Sequence, residues 1–176
     1  HVKPIRNNFA YIDAANLHSA VKGYGWIFDY GRFRVWLREK YGVTRAYLFI
    51  GWIPKYEDRY TELQELGYVL VFKQVIYDNK GKPKGNCDAD LVLRATRDVF
   101  ETEFEKAILV SSDGDYDGLV KFLLEKKKME VVLSPAKKEK CSILLKRTNA
   151  RIAYINDQVH ILSMHKEKAP DGDETP

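Results

Sequence analysis

The sequence is poor in cysteine and has no long apolar segment. Its two cysteines, Cys87 and Cys141, are far apart and lack metal-type spacing. They predict a reducing compartment, the cytoplasm, rather than a disulfide framework. No run approaches the roughly 20 apolar residues that a membrane span needs, and the first residues lack the apolar core of a signal peptide. These absences predict a chain with no membrane partner.

The composition is that of a globular protein. The chain has 176 residues, of which 45% are hydrophobic and 31% charged. This length suits one domain with one sizeable core, which we predict over residues 1–165. The polar segment 166–176 contains proline and glycine and is predicted to be a disordered tail. The net charge of +4 is compatible with a polyanionic partner.

Strand-like and helix-like segments alternate along the chain. The predicted strands are 9–13, 46–52, 68–76, 106–112, 130–134 and 150–157. The predicted helices are 30–42, 56–67, 88–101, 116–128 and 140–149, with another beginning after Asn16 and a basic loop at 78–86. This alternation predicts a mostly parallel sheet with helices on both faces, because parallel strands need crossover connections.

Aspartates stand at the points where a ligand would bind in such a sheet. Asp13 ends the first predicted strand, Asp113 follows the fourth, and Asp88 opens the helix before it. Ligands of open parallel sheets bind beyond the carboxyl ends of the strands. If the first and fourth strands are neighbours, the three acids converge. Asp115 and Asp117 add further negative charge, which repels unless a cation intervenes.

The residue types point to a hard cation and a phosphate ester. Carboxylates with no cysteine or histidine cluster nearby favour Mg²⁺ or Mn²⁺ over zinc. A cation in such a site can polarise a phosphoryl oxygen and lower the pKa of an attacking water. The lysines of the adjacent loop, Lys80, Lys82 and Lys84, are placed to hold flanking phosphates. The pattern therefore favours phosphodiester hydrolysis.

The chain matches the signature segments of one protein family in order and spacing, at residues 11–17, 84–93 and 110–120. On these three segments it resembles the NYN domain, a PIN-like nuclease family that includes the LabA-like bacterial proteins. The resemblance covers residues 8–157. It implies a three-layer α/β/α sandwich with strand order 3-2-1-4-5. It also implies divalent-metal-dependent cleavage of nucleic acid, with single-stranded RNA as the expected partner.

The resemblance assigns roles by position. It implies that Asp13, Asp88 and Asp113 bind the metal and that Asn16 orients Asp13 or its water. Asp115 matches a second acid that is common after the fourth strand in the LabA-like group.

The chain departs from the pattern at two positions. Arg94 stands where a further acid is frequent, and Ala14 stands where glycine is common. The first departure leaves the number of metal ions open. Asp117 matches an acid found in some members only, and Asp90 is an alternative to Asp88.

Several of these residues also have ordinary structural explanations. Asn16 is a candidate N-cap, and Asp115 is a candidate cap for the helix predicted to start near Tyr116. Asp117 complements the dipole of the same helix. Either Asp88 or Asn86 is a candidate cap for the helix over 88–101.

The candidate substrate-binding residues are less distinctive. Lys82, Lys84, Ser112 and Trp26 are predicted to contact the nucleic acid. The alternatives are solvated lysines, a turn serine and a core tryptophan. Trp52, directly after the second strand, is a further candidate for base stacking.

Two other functions remain open at this level. The first is a nucleic-acid-binding or regulatory module with weak or lost catalysis. The second is phosphoryl transfer on small molecules. Ala15 counts against it, because phosphatases of the haloacid-dehalogenase type need an acid at this position. A homodimer is a further open possibility.

Overall fold

A computed structural model describes residues 6–164, and its centre is a parallel six-stranded sheet. The strands of this sheet are β1 (Asn8–Asp13), β2 (Val43–Trp52), β3 (Tyr68–Gln74), β6 (Ala107–Val110), β7 (Met129–Ser134) and β8 (Ile152–Tyr154). Their order is β3-β2-β1-β6-β7-β8, and every neighbouring pair is parallel. The predicted order 3-2-1-4-5 is confirmed, and a sixth strand extends it.

Helices cover both faces of the sheet, as predicted. One face carries α1 (Ala14–Val21), α2 (Tyr30–Tyr41), α3 (Glu57–Glu65) and α7 (Val159–Leu162). The other carries α4 (Asp88–Glu101), α5 (Asp117–Glu125) and α6 (Ile143–Lys146). No helix within residues 6–164 is long and apolar enough to cross a membrane.

Two apolar cores lie on either side of the sheet because side chains alternate along each strand. In β1, Ala10 and Ile12 enter the core beneath α1 and α2. Phe9 and Tyr11 enter the core beneath α4 and α5. All six residues of β1 are buried, which accounts for its nearly continuous apolar sequence.

Some element boundaries differ from the prediction. Helix α1 begins at Ala14, before the predicted start, because Asp13 caps it. Helix α5 ends at Glu125, and Lys127 has a left-handed φ of 56° that the helix cannot continue through. Helix α6 is four residues long, much shorter than predicted, because its first turn starts only after Ser142.

The predicted basic loop contains a small antiparallel hairpin, formed by β4 (Ile76–Tyr77) and β5 (Pro83–Lys84). Asp78 closes its turn, since one carboxylate oxygen accepts hydrogen bonds from the backbone of Lys80 and Lys82, both at 2.9 Å. The predicted disordered tail, 166–176, lies outside the described residues.

The topology fixes where a site can form. Strands β1 and β6 are neighbours at the centre of the sheet. From β1 the following strands are added on one side, as β2 and β3, and from β6 they are added on the other side, as β7 and β8. We call the side of the sheet where the strands end the carboxyl edge. The first residues after β1 and β6 meet at this edge, as does the start of α4.

Candidate metal centre at the carboxyl edge

Aspartates from separate elements meet at the carboxyl edge. Asp88 is the first residue of α4, Asp113 follows β6, and Asp115 lies in the short 3-10 turn Gly114–Tyr116. One carboxylate oxygen of each lies within 4.8 Å of those of the other two. Asp88 and Asp113 are half-buried and Asp115 is exposed. The site is therefore an acidic rim that is open to solvent on one side.

Asp13 lies on the buried side of this group. It is only 5% exposed, and it is joined to the group by the hydroxyl of Tyr116. That hydroxyl lies 3.0 Å from Oδ2 of Asp13 and 2.8 Å from Oδ1 of Asp88. Because a phenol carries one proton, the two carboxylates share a single donor. Tyr116 itself is fully buried in the core beneath α4 and α5.

Burial is the main influence on the protonation of Asp13. Loss of hydration raises the pKa of this carboxyl, and the neighbouring charges of Asp88 and Asp113 raise it further. The hydrogen bonds from the backbone of Asn16 and from Tyr116 oppose the rise in its pKa but do not cancel it. Burial and the neighbouring carboxylates therefore both make ionisation of Asp13 less favourable.

Asn16 connects the two strand ends that form the site. Its side-chain oxygen accepts hydrogen bonds from both the backbone N–H and the hydroxyl of Ser112, each at 3.0 Å. Ser111 contributes in a similar way, since its hydroxyl accepts the backbone N–H of Asp113 at 3.1 Å. These contacts fix the segment after β6 against the start of α1.

The structure decides between the capping alternatives. Asp13, not Asn16, caps α1, because its Oδ1 accepts the backbone N–H of Asn16 at 3.1 Å. Asp113, not Asp115, caps the turn that follows it and accepts the backbone N–H of Asp115. The alternative explanation of Asn16 and Asp115 as helix caps is therefore wrong.

At the other two helix starts, the capping alternatives turn out differently. Asn86 rather than Asp88 makes the capping contact before α4, since its Oδ1 accepts the backbone N–H of Asp88 at 2.9 Å. Asp117 lies in the first turn of α5 and pairs with Lys121 at 3.3 Å, in agreement with a dipole-complementing role. Asp88 is therefore free of a capping role, and Asp117 is an ordinary helix residue.

Not every predicted candidate lies in the cluster. Asp90 points towards β3 and pairs with Lys73 at 3.3 Å, so it is not an alternative to Asp88. Arg94 lies further along α4, pairs with Asp98 at 3.4 Å and stacks on Tyr47. Arg94 therefore makes structural contacts and lies outside the acidic cluster.

The predicted substrate contacts are spread over several surfaces. Lys82 and Lys84 are exposed on the hairpin. Ser112 is buried and bonded to Asn16. Trp26 is half-buried, stacks on Tyr24 and donates its indole N–H to Asn156 at 3.0 Å. The aromatic ring of Trp26 is therefore engaged in packing.

Sequence reasoning missed Tyr116 and Gly114. Tyr116 has the spacing of an ordinary core residue, and only the position of its hydroxyl gives it a role. Gly114 leaves room for the segment before α6, because a Cβ at this position would come within 2.4 Å of the Ser142 hydroxyl. The crowding of small and acidic residues after β6 was the one available signal.

The donor set fits a hard divalent cation. It consists of carboxylate oxygens alone, the ligands that Mg²⁺ and Mn²⁺ prefer. Their ligand atoms lie within 4.8 Å of one another, which is close enough for a cation placed among them to be shared. Cys87 is the nearest soft ligand type, but burial raises the pKa of its thiol to about 11, which keeps it protonated at neutral pH.

Comparisons with known proteins agree with this architecture. A crystal structure of a protein of unknown function from Vibrio parahaemolyticus superimposes with a TM-score of 0.71 at 23% sequence identity, and the match covers 89% of this chain and 98% of that one. No curated protein sequence matches the chain. The family model of the NYN domain matches residues 10–155. The chain therefore belongs to the NYN domain family, which is PIN-like and of nuclease type.

Proposed function

We propose that the protein is a divalent-metal-dependent nuclease that hydrolyses phosphodiester bonds in single-stranded RNA. The observation that carries the proposal is the group of Asp88, Asp113 and Asp115 at the carboxyl edge of a NYN domain. A divalent cation would offset their combined negative charge, and the nuclease that we propose would use it at this place. Mg²⁺ and Mn²⁺ are the proposed ions.

Each acid has a proposed part in holding the ion. Asp88 and Asp113 would hold it, with Asp13 on the buried side and Asp115 on the exposed side. Tyr116 fixes the separation of Asp13 and Asp88 through its shared hydroxyl. Asn16 and Ser112 keep the two strand ends in register. When bound, a divalent cation supplies charge neutralisation at the phosphate and a lowered pKa for water.

The remaining chemistry belongs to the chain's own side chains. The oxygen of a water attacks phosphorus, and the bond from phosphorus to the leaving oxygen breaks. Asp115, the exposed acid, is the proposed acceptor for the proton of that water. The ammonium groups of Lys82 and Lys84 are proposed to bind phosphates on either side of the scissile bond.

The test is cleavage of a 5′-labelled single-stranded RNA in Mg²⁺, in Mn²⁺ and in EDTA. We expect cleavage with either metal, none in EDTA, and a loss on the order of a hundredfold in Asp113→Asn. Asp117→Asn is the matched control, because this acid is in the same segment but pairs with Lys121 outside the cluster. It should cleave like the wild type.

Two outcomes would favour the other functions. RNA that is bound but survives with both metals would indicate a binding or regulatory module. Hydrolysis of a small phosphate ester without cleavage of RNA would indicate a phosphoryl-transfer enzyme.

The remaining proposals concern the context in which the protein acts. We propose a single nuclease domain over residues 1–165 that acts in the cytoplasm, where the free thiols of Cys87 and Cys141 stay reduced. Sedimentation velocity with and without RNA decides between a monomer and a homodimer.

A further inference from the structure

We propose that Trp52 and Phe72, supported from beneath by Tyr60, form a stacking platform for unpaired bases of a single nucleic-acid strand. We call these three residues the aromatic platform. The proposal deepens the proposed function, on which its link to cleavage rests, because it specifies how the strand is held at the carboxyl edge, across the end of β2 from the acids. Its ligand is a strand with accessible base faces, and a closed duplex does not offer these.

The platform lies on the same edge of the sheet as the acids. Asp13, the last residue of β1, is in register with Phe49 of β2. Trp52 ends β2 three positions after Phe49 and therefore projects roughly 10 Å further than Asp13. The platform lies on the face of the sheet that carries α3, whereas Asp13, Tyr116 and α4 lie on the other face. A strand stacked on the platform would therefore cross the carboxyl end of β2 to reach the acids.

The rings are held in a fixed arrangement before any ligand arrives. The centroid of Trp52 lies 5.1 Å from that of Tyr60 and 5.0 Å from that of Phe72. Tyr60 is buried, and its hydroxyl both donates to the carbonyl of Gly51 and accepts the N–H of Ile53, each at 3.0 Å. A rigid aromatic surface binds with little loss of conformational entropy.

The upper rings remain accessible. Trp52 is 37% exposed and Phe72 is 40% exposed, although both are large apolar side chains. Trp26, the other tryptophan considered for stacking, is half-buried, and its indole N–H is engaged by Asn156. Trp52 and Phe72 are therefore the better placed aromatic pair for a base.

The charge around the platform suits a phosphate backbone. The hairpin that follows β3 carries Lys80, Lys82 and Lys84, none of which pairs with a carboxylate among residues 6–164. Asp78, the one acid of this hairpin, is occupied by backbone N–H groups. Aromatic rings beside unpaired cations are the combination that single-stranded nucleic acid requires, since bases stack while phosphates attract cations.

The test measures binding without cleavage. A fluorescein-labelled single-stranded RNA of about a dozen nucleotides is titrated in EDTA and followed by fluorescence anisotropy, with single-stranded DNA and a duplex of the same sequence alongside. We expect both single strands to bind more tightly than the duplex. Trp52→Ala should weaken single-strand binding roughly tenfold, and Phe72→Ala somewhat less.

Two further variants serve as controls. Phe100→Ala removes an aromatic ring that is 70% exposed at the far end of α4, away from the carboxyl edge, and should bind like the wild type. Trp52→Phe keeps a ring and should retain most of the affinity, which separates stacking from a loss of folding.

The outcomes separate this inference from the proposed function. Equal binding of Trp52→Ala and wild type, or equal binding of duplex and single strand, would overturn the platform, whether or not RNA is cleaved. Weakened binding in a protein that cleaves nothing in Mg²⁺ or Mn²⁺ would support the platform and overturn the nuclease. A dimer that Trp52→Ala converts to a monomer would assign the rings to a subunit contact instead and overturn the proposal.

Discussion

Two buried tyrosines on the same side of the sheet donate to aspartates, and the surroundings of these aspartates differ in one respect. The Tyr11 hydroxyl donates to Asp98 at 2.7 Å, and the guanidinium of Arg94 lies 3.4 Å from the same carboxylate. The Tyr116 hydroxyl is shared between Asp13 and Asp88, and no lysine or arginine within residues 6–164 forms an ion pair with either carboxylate. Asp98 therefore has partners that its removal would leave unpaired, whereas Asp13 and Asp88 are proposed ligands of a cation.

Removing the Asp98 carboxylate should cost the most stability. Asp98→Ala leaves the Tyr11 hydroxyl and the Arg94 guanidinium without their buried acceptor. We expect a loss of about 2–4 kcal/mol in the free energy of unfolding, measured by urea denaturation. Cleavage per folded molecule should stay unchanged. If cleavage per folded molecule fell as far as it does in Asp113→Asn, the contact of Tyr11 with Asp98 would not differ in role from that of Tyr116 with Asp13 and Asp88.

Adding a divalent cation should stabilise the acidic site at the carboxyl edge. At about a hundred times the dissociation constant, Mn²⁺ binding should add about 2.7 kcal/mol to the free energy of unfolding. The expected rise in Tm is then about 5–10 °C, measured by calorimetry with and without Mn²⁺. Asp113→Asn should abolish most of this rise, and Asp117→Asn should keep it.

Removing each tyrosine hydroxyl sharpens the comparison further. Tyr116→Phe frees Asp13 and Asp88 from their shared donor, so we expect about a tenfold lower kcat and a higher Mn²⁺ concentration for half-maximal activity. Tyr11→Phe should change neither quantity, although it lowers stability. The Mn²⁺ dependence is the decisive measurement, because a general loss of packing would not move it.

The smallest effect concerns the buried charge of Asp13. Its raised pKa means that the folded state holds this proton more tightly than the unfolded state. The stability that Asp13 contributes is therefore greatest at acid pH and falls as pH rises from the ordinary value of about 3.9 through the raised one.

In EDTA at pH 7.5, Asp13→Asn should be more stable than the wild type by about 1 kcal/mol, with the advantage shrinking towards pH 4. Thermal unfolding at both values checks this. A variant that is less stable throughout would show that the carboxylate is already compensated.

The sheet and the convergence of its acids were predictable from the sequence. Strands covered on both faces are apolar throughout, as in β1, and parallel strands bring Asp13 and Asp113 to one edge once their order is known. Helix α4 was predicted at its observed bounds because its apolar residues recur at helical spacing. The sequence therefore predicts which residues end a buried strand and where a long amphipathic helix begins and ends.

Details that depend on a single atom or on local turns were not predictable. Tyr116 differs from a core phenylalanine only by its hydroxyl, and the sequence gives no sign of what that hydroxyl reaches. Helix α1 starts earlier than predicted because Asp13, the last residue of β1, is also its N-cap, and the Asp13 side chain accepts the backbone N–H of Asn16. Helix α6 is short because the turn over 137–141 precedes it and Asn149, with φ of 66°, follows it.

The close approach of Gly114 and Ser142 links the segment after β7 to the acidic cluster, although that segment contributes no acid to it. The turn that bears Asp115 and Tyr116 rests directly on the start of α6, with no space for a single methyl group. Movement of Ser142 towards Gly114 would press on that turn and so change the separation of Asp115 from Asp88. We therefore expect sequence changes at the start of this short helix to alter the spacing of the acids without replacing any of them.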